Sequence, residues 1–74
     1  MKTREQALIE ELRLYRTGAG VRQFDLASLL NKPQSFVSKY ECGDRTLTFV
    51  DVLYICEALN ISVDELSKKV LEIK

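Results

Sequence analysis

An all-α fold is what this chain predicts: a compact five-helix domain with a pair of short helices at its centre. Three observations carry that prediction. The run Gln23-Phe24-Asp25-Leu26-Ala27 is followed, eleven residues after Gln23, by Gln34-Ser35-Phe36-Val37-Ser38-Lys39-Tyr40-Glu41, which reads as two short helices joined by a tight turn. Helix-starting pairs recur along the chain at Thr3/Gln6, Thr48/Asp51 and Ser62/Glu65, and helix-ending residues at Gly20, Asn31 and Gly43. Between these signals the apolar residues fall at helical spacing.

The first helix opens at Thr3, whose spacing to Gln6 is that of a capping box, and Leu8, Leu12 and Tyr15 then form one stripe. Gly18 and Gly20 stop it, with Gly20 placed as the left-handed residue after its end. A second helix from about Gln23 to Leu30 puts Leu26, Leu29 and Leu30 on one side. Asn31 tolerates a left-handed turn, and Pro33 suits the first turn of the next helix because no amide donor is needed there. Gly43 closes the third helix. Thr48 with Asp51 begins a fourth, running to about Leu59 with Val52, Ile55, Cys56 and Leu59 inward. Ser62 and Glu65 form a capping box for a fifth, over about 63–72. No repeat, linker or low-complexity stretch interrupts the pattern, so residues 1–74 read as one domain.

Seventy-four residues support one small core, near the lower limit at which burial alone holds a fold. With 46% apolar and 30% charged residues the chain belongs with soluble globular proteins. No apolar run approaches a membrane span and no signal-peptide pattern opens the sequence, so no membrane association and a cytoplasmic location are expected. Cys42 and Cys56 lie 14 apart with no His anywhere, which excludes the usual zinc spacings. Two reduced thiols are expected, with a redox sensor as the second reading. Neither a metal nor a cofactor is expected, and no small-molecule ligand is evident. Without His, a glycine-rich phosphate loop, a ligand cluster or enough chain for an enclosed pocket, the sequence does not read as an enzyme.

A net charge of zero counts against a nucleic-acid partner, yet its distribution is uneven. Residues 1–45 carry eight Lys/Arg against six Asp/Glu, and residues 46–74 carry three against five. Within 22–40, Arg22, Lys32 and Lys39 face only Asp25, leaving room for a local basic surface.

The third helix divides cleanly. At about 100° per residue, Gln34, Ser35, Ser38 and Lys39 share one half of the wheel, and Phe36, Val37, Tyr40 and Glu41 share the other. The apolar half can dock on a domain while the other offers an amide, two hydroxyls and an ammonium, groups that bond base edges or phosphates. Surface helices in general show small polar residues; here spacing, turn chemistry and position add to the wheel. Glu41 on the inward half and Arg16 beside the inward Ile9 and Leu12 are both costly alone, and a partly buried Arg16–Glu41 pair resolves both, unless each snorkels separately to solvent.

Residues 12–66 resemble the Cro/CI-type helix-turn-helix family, also called the XRE family, to which many phage repressors belong. The resemblance rests on Leu12-Arg13, Arg16, Gly20-Val21, Gln23, Leu26-Ala27, Leu30, Gln34-Ser35, Val37 through Glu41, Gly43, Ala58-Leu59 and Ile61-Ser62. It implies a lambda-repressor-like DNA-binding domain of five helices, with the helix-turn-helix at about 23–41, binding double-stranded DNA as a homodimer. It implies base contacts from Gln34, Ser35, Ser38 and Lys39. Gln23 matches a glutamine that grips a phosphate and braces the recognition helix, and the Arg16–Glu41 pair is also a family feature.

The departures are specific. Arg22 stands where a Ser or Thr N-cap is usual, trading a cap for a phosphate contact. Asn31-Lys32-Pro33 replaces a Gly-hydrophobic-Ser turn and directs Lys32 to the DNA backbone. Phosphate contacts are therefore expected at Arg22, Gln23, Lys32 and Arg45. Phe24 replaces a common acidic residue, Cys42 a polar phosphate contact, and Cys56 a small buried Ala. On the fifth helix Val63, Leu66, Val70 and Ile73 cluster on one face, and a two-fold interface is expected at Leu66, Val70 and Ile73. The functional expectation is a sequence-specific transcriptional regulator of bacterial or phage origin, a repressor or controller on a short palindromic operator. An antitoxin or protein-interaction module on the same fold is the rival, distinguished by whether apolar anchors replace the polar face of the third helix.

Overall fold

Thr3 starts the first helix by a reciprocal pairing: Thr3 Oγ1 accepts from the Gln6 N–H at 3.1 Å, and Gln6 Oε1 accepts from the Thr3 N–H at 2.9 Å. The computed structural model describes residues 2–73, and in them places five helices and no strand. These are α1 (Arg4–Gly18), α2 (Gln23–Leu29), α3 (Gln34–Glu41), α4 (Phe49–Leu59) and α5 (Val63–Leu71). Thr48 and Asp51 repeat the reciprocal pairing at the start of α4, with bonds of 3.1 and 3.0 Å. At α5 the expected box is only half made. Ser62 Oγ accepts from the Glu65 N–H at 3.3 Å, but the N-cap ψ is 120° rather than the 164° at Thr3 and Thr48, which swings the Ser62 N–H away from the Glu65 carboxylate. Pro33 is the N-cap of α3, one residue earlier than its expected place in the first turn.

Four helices end in the same way. Gly20 (φ 72°), Asn31 (φ 59°), Gly43 (φ 89°) and Asn60 (φ 57°) are left-handed. The next N–H in each case reaches back to a helical carbonyl: Val21 to Arg16, Lys32 to Ala27, Asp44 to Lys39 and Ile61 to Cys56, at 2.8–3.1 Å. These stops turn the chain sharply, so short helices can fold back on one another. Asn60 performs at α4 the same function that Asn31 performs in the helix-turn-helix.

The core is drawn from every helix: Leu12, Leu26, Ala27, Phe36, Val37, Tyr40, Val52, Ile55, Cys56 and Leu66, with Ile61 from the α4–α5 connection. Burial pushes the Cys56 thiol pKa upward, so this side chain packs as a neutral filler. Leu29 does not join Leu26 and Leu30 inward, as the sequence suggested, but is 62% exposed. The inward direction of α2 lies between Leu26 and Ala27, and Leu29 falls on the far side of Leu26, roughly 110° from it. α2 packs on α3, and α1 packs on α3, α4 and α5. Among the described residues no helix is long and apolar enough to cross a membrane.

Candidate nucleic-acid interface

The polar half of α3 faces outward as an eight-residue ledge whose apolar half is locked into the core. Gln34, Ser35 and Lys39 are exposed, while Phe36, Val37 and Tyr40 are buried beneath them. Ser38 is half-buried and donates its hydroxyl to the Ser35 carbonyl at 3.3 Å, which leaves its oxygen lone pairs free to accept. The first turn of α3 has no acidic residue, so the positive end of the helix dipole is uncompensated beside Gln34 and Ser35.

A buried ion pair sets the angle of that ledge. Arg16 from α1 donates Nε to Glu41 Oε2 at 2.6 Å and Nη2 to Oε1 at 2.9 Å, a two-pronged contact between side chains only 9% and 4% exposed. Arg16 also donates Nη1 to the Val21 carbonyl at 2.8 Å. Gln23, at the first position of α2, donates Nε2 to Glu41 Oε1 at 3.0 Å. The Arg16–Glu41–Gln23 network thus ties together α1, the connection before α2, α2 itself and the last residue of α3. The hydrogen bond to Glu41 raises the Arg16 pKa further above its ordinary value, against the opposing effect of burial. Tyr40 lies in the same layer; burial pushes its phenol pKa far upward, and its hydroxyl has no hydrogen-bond partner among the described residues.

Three expected phosphate-binding cations occupy different settings. Arg22 is exposed and pairs with Asp25, Nε to Oδ2 at 3.0 Å, and this bond lowers the Asp25 pKa. Lys32 and Arg45 form no ion pair among the described residues. They meet instead at Phe36, whose ring centroid lies 5.5 Å from Lys32 Nζ and 4.8 Å from the Arg45 guanidinium carbon. Cys42, at the C-terminal end of α3, is exposed and reduced, its Sγ 3.4 Å from the Lys39 carbonyl and from Asp44 Oδ2.

The chain matches the helix-turn-helix domain family over residues 7–68. It is similar to an XRE-family like protein from Pseudomonas syringae pv. tomato str. DC3000, with 35% identity over 96% of this chain and 87% of that one and a TM-score of 0.89. The chain belongs to the XRE-type helix-turn-helix family. The fold is shared with the clp gene regulator ClgR from C. glutamicum, at 24% identity and a TM-score of 0.84, covering 96% of this chain and 91% of that one. None of the curated proteins compared is significantly similar. As an XRE-type domain the molecule has a DNA-binding transcriptional-regulator fold, and its α2–α3 pair is the helix-turn-helix of that fold.

The expected dimer residues of this XRE-type domain separate. Leu66 is 2% exposed and belongs to the protomer's own core, so it reaches the surface only as part of a groove floor. Val70 and Ile73 are half-buried. The amphipathic stripe of α5 does not by itself disclose how much of it the rest of the protomer covers. The unspent apolar surface lies beside it: Phe49 is 70% exposed and Leu71 60%, on the rim of a shallow groove of about 340 Å³ floored by Leu47, Val63, Leu66 and Val70.

Proposed function

We propose that the protein is a sequence-specific transcriptional regulator that binds a short palindromic operator as a homodimer, with Gln34, Ser35, Ser38 and Lys39 reading base edges. Arg22, Gln23, Lys32 and Arg45 grip the flanking phosphates. The observation that carries this reading is the outward polar face of α3, held rigid by the Arg16–Glu41–Gln23 network. A helix that only filled a surface would not need two other helices bonded to its one buried carboxylate. Gln23 retains a second amide hydrogen beyond the one given to Glu41, so it can brace α3 and still donate to a phosphate. Membership of the XRE-type family supports the same assignment.

Dimerisation is assigned to the groove rimmed by Phe49 and Leu71, whose floor includes the half-buried Val70, with the half-buried Ile73 on the chain just beyond α5. Two copies related by a two-fold axis each offer a rim side chain and an apolar groove. This arrangement requires the two copies of α3 to lie about 34–36 Å apart, one turn of DNA.

The test is selection of bound duplexes from a random pool, followed by anisotropy titration of the selected duplex and a scrambled one. An inverted repeat among the selected sequences supports the proposal. Gln34→Ala is expected to weaken the selected complex by about 1–3 kcal/mol and leave the scrambled complex almost unchanged. Equal losses on both duplexes would remove Gln34 from base reading.

A further inference from the structure

Phe36 stands on the buried side of α3, only 6% exposed, yet two cations from outside that helix converge on its ring. Lys32 comes from the turn before α3 and Arg45 from the connection after it. Both charges lie within 5.5 Å of one centroid, so they are held within about 10 Å of each other although 13 positions separate them in sequence. Phe36 is itself fixed, with its ring edge-on to the buried Tyr40 at 5.8 Å and 68°. A second sign of convergence comes from Asp51 of α4. Its carboxyl pKa is lowered first by the Thr48 N–H, and the positive charges of Arg45 and Lys32 add to the effect.

The chemistry of the support matters. A carboxylate partner would orient a cation but neutralise it, as Asp25 does for Arg22. An aromatic face attracts the cation through its quadrupole and leaves both the formal charge and the N–H donors available. Phosphates along one strand of duplex DNA rise about 3.4 Å per step along the axis and lie further apart through space because the strand winds round it, so two cations held within about 10 Å of each other can engage neighbouring phosphates.

We propose that Phe36 is a positioning residue, whose ring holds Lys32 and Arg45 together as a two-point grip on adjacent phosphates of one DNA strand. The inference rests on the phosphate roles proposed above for Lys32 and Arg45, and adds the element that makes them act as a unit. Phe36 does not touch DNA in this assignment. It sets where two long, rotamer-rich side chains wait, which lowers the ordering cost of the contact.

The test uses the full chain, the selected duplex and anisotropy titrations from about 50 to 200 mM KCl, with Phe36→Leu, Phe36→Tyr, Lys32→Gln/Arg45→Gln and the Phe36→Leu triple variant. Lys32→Gln/Arg45→Gln is expected to reduce the slope of log affinity against log salt by about two phosphate contacts. Phe36→Leu is expected to bind about 3–10-fold more weakly with a reduced slope, and to add no further loss in the Lys32→Gln/Arg45→Gln background. Phe36→Tyr, which keeps the ring, is expected to match the parent. Equal losses from Phe36→Leu in both backgrounds, or a loss with an unchanged salt slope, overturn the proposal. Should Phe36→Leu not fold, the parent protein decides alone. Upfield ring-current shifts of the Lys32 Hε and Arg45 Hδ resonances are expected, and random-coil values for both overturn the grip. Parent protein that selects no duplex refutes the DNA-binding reading itself, whereas parent binding with an inert Phe36→Leu refutes only the positioning.

Discussion

Glu41→Ala is the perturbation whose consequence can be worked furthest from the geometry. The carboxylate takes three donors, two from Arg16 at 2.6 and 2.9 Å and one from Gln23 at 3.0 Å, and its side chain is 4% exposed. Removing it leaves the Arg16 guanidinium, itself 9% exposed, with the Val21 carbonyl as its only remaining partner among the described residues. Breaking a buried pair from one side costs about 3–5 kcal/mol, mostly through the stranded charge. A 74-residue domain has roughly 4–11 kcal/mol to lose, so the variant sits near the unfolding threshold. A loss of about 3 kcal/mol corresponds to roughly 12–24 °C in Tm.

The assay is urea unfolding followed by far-UV circular dichroism for Arg16→Met, Glu41→Leu and the double replacement, with free energies from linear extrapolation. Each single variant strands a partner and is expected to lose several kcal/mol. The double variant substitutes apolar side chains of similar length and is expected to recover much of that loss. Its operator affinity should nevertheless remain below that of the parent, because Gln23 would have no Glu41 to fix it. Single losses below about 1 kcal/mol that simply add would refute the reasoning, since they would mean that water already screens the pair in solution.

Tyr40→Phe is expected to be neutral or stabilising by up to about 1 kcal/mol, because it removes a buried hydroxyl that has no partner; a clear loss in urea unfolding would show that the hydroxyl is bonded in solution. Phe49→Asp is expected to fold normally but sediment as a monomer at micromolar concentration with weakened operator binding, whereas Leu66→Asp should fail to fold; a Phe49→Asp dimer would remove the groove from the interface. Stability should be flat from about pH 5.5 to 7, since the chain has no His. Below that range it should fall: the folded Asp51 pKa lies beneath its ordinary 3.8, so its contribution is complete above the unfolded value and is lost as pH drops through the folded one. Thermal melts at stepped pH check the sign, and stability rising on acidification would contradict it.

Turn chemistry made most of the fold legible in sequence. Gly20, Asn31 and Gly43 each stand where a left-handed residue is required, and such positions depend on local sterics that composition alone reveals. The two faces of α3 were legible for the same reason, since the helical period acts over a few residues. What stayed hidden depends on neighbours distant in sequence. The exposure of Leu29 depends on where α3 and α4 cover a seven-residue helix, and the burial of Leu66 depends on how closely α1 approaches α5. The pairing of Lys32 with Arg45 over Phe36 was equally invisible, because Arg45 returns to α3 only through the path of the loop after Gly43.

That pairing also bears on how a chain of zero net charge can address DNA. Charge matters to a phosphate only where it is unspent. Arg16 is consumed by Glu41, Arg22 is shared with Asp25, Lys2 is paired with Glu10, and Lys69 lies between Tyr15 and Glu11 at the far side of α1. Among the described residues, Arg4, Arg13, Lys32, Lys39, Arg45 and Lys68 form no ion pair, and three of these six, Lys32, Lys39 and Arg45, belong to α3 or to the segments that enter and leave it. A net charge of zero keeps the long-range attraction for arbitrary DNA small, while Lys32, Lys39 and Arg45 act at contact distance beside the reading face. Such a protein should show a shallow salt slope on scrambled duplex and a steeper one on its operator, where Lys32, Lys39 and Arg45 each reach a phosphate. A strongly basic domain would instead show steep slopes on both. Identical slopes on the two duplexes would mean that Lys32, Lys39 and Arg45 engage DNA before α3 finds its register, and that specificity comes from Gln34 and its neighbours alone.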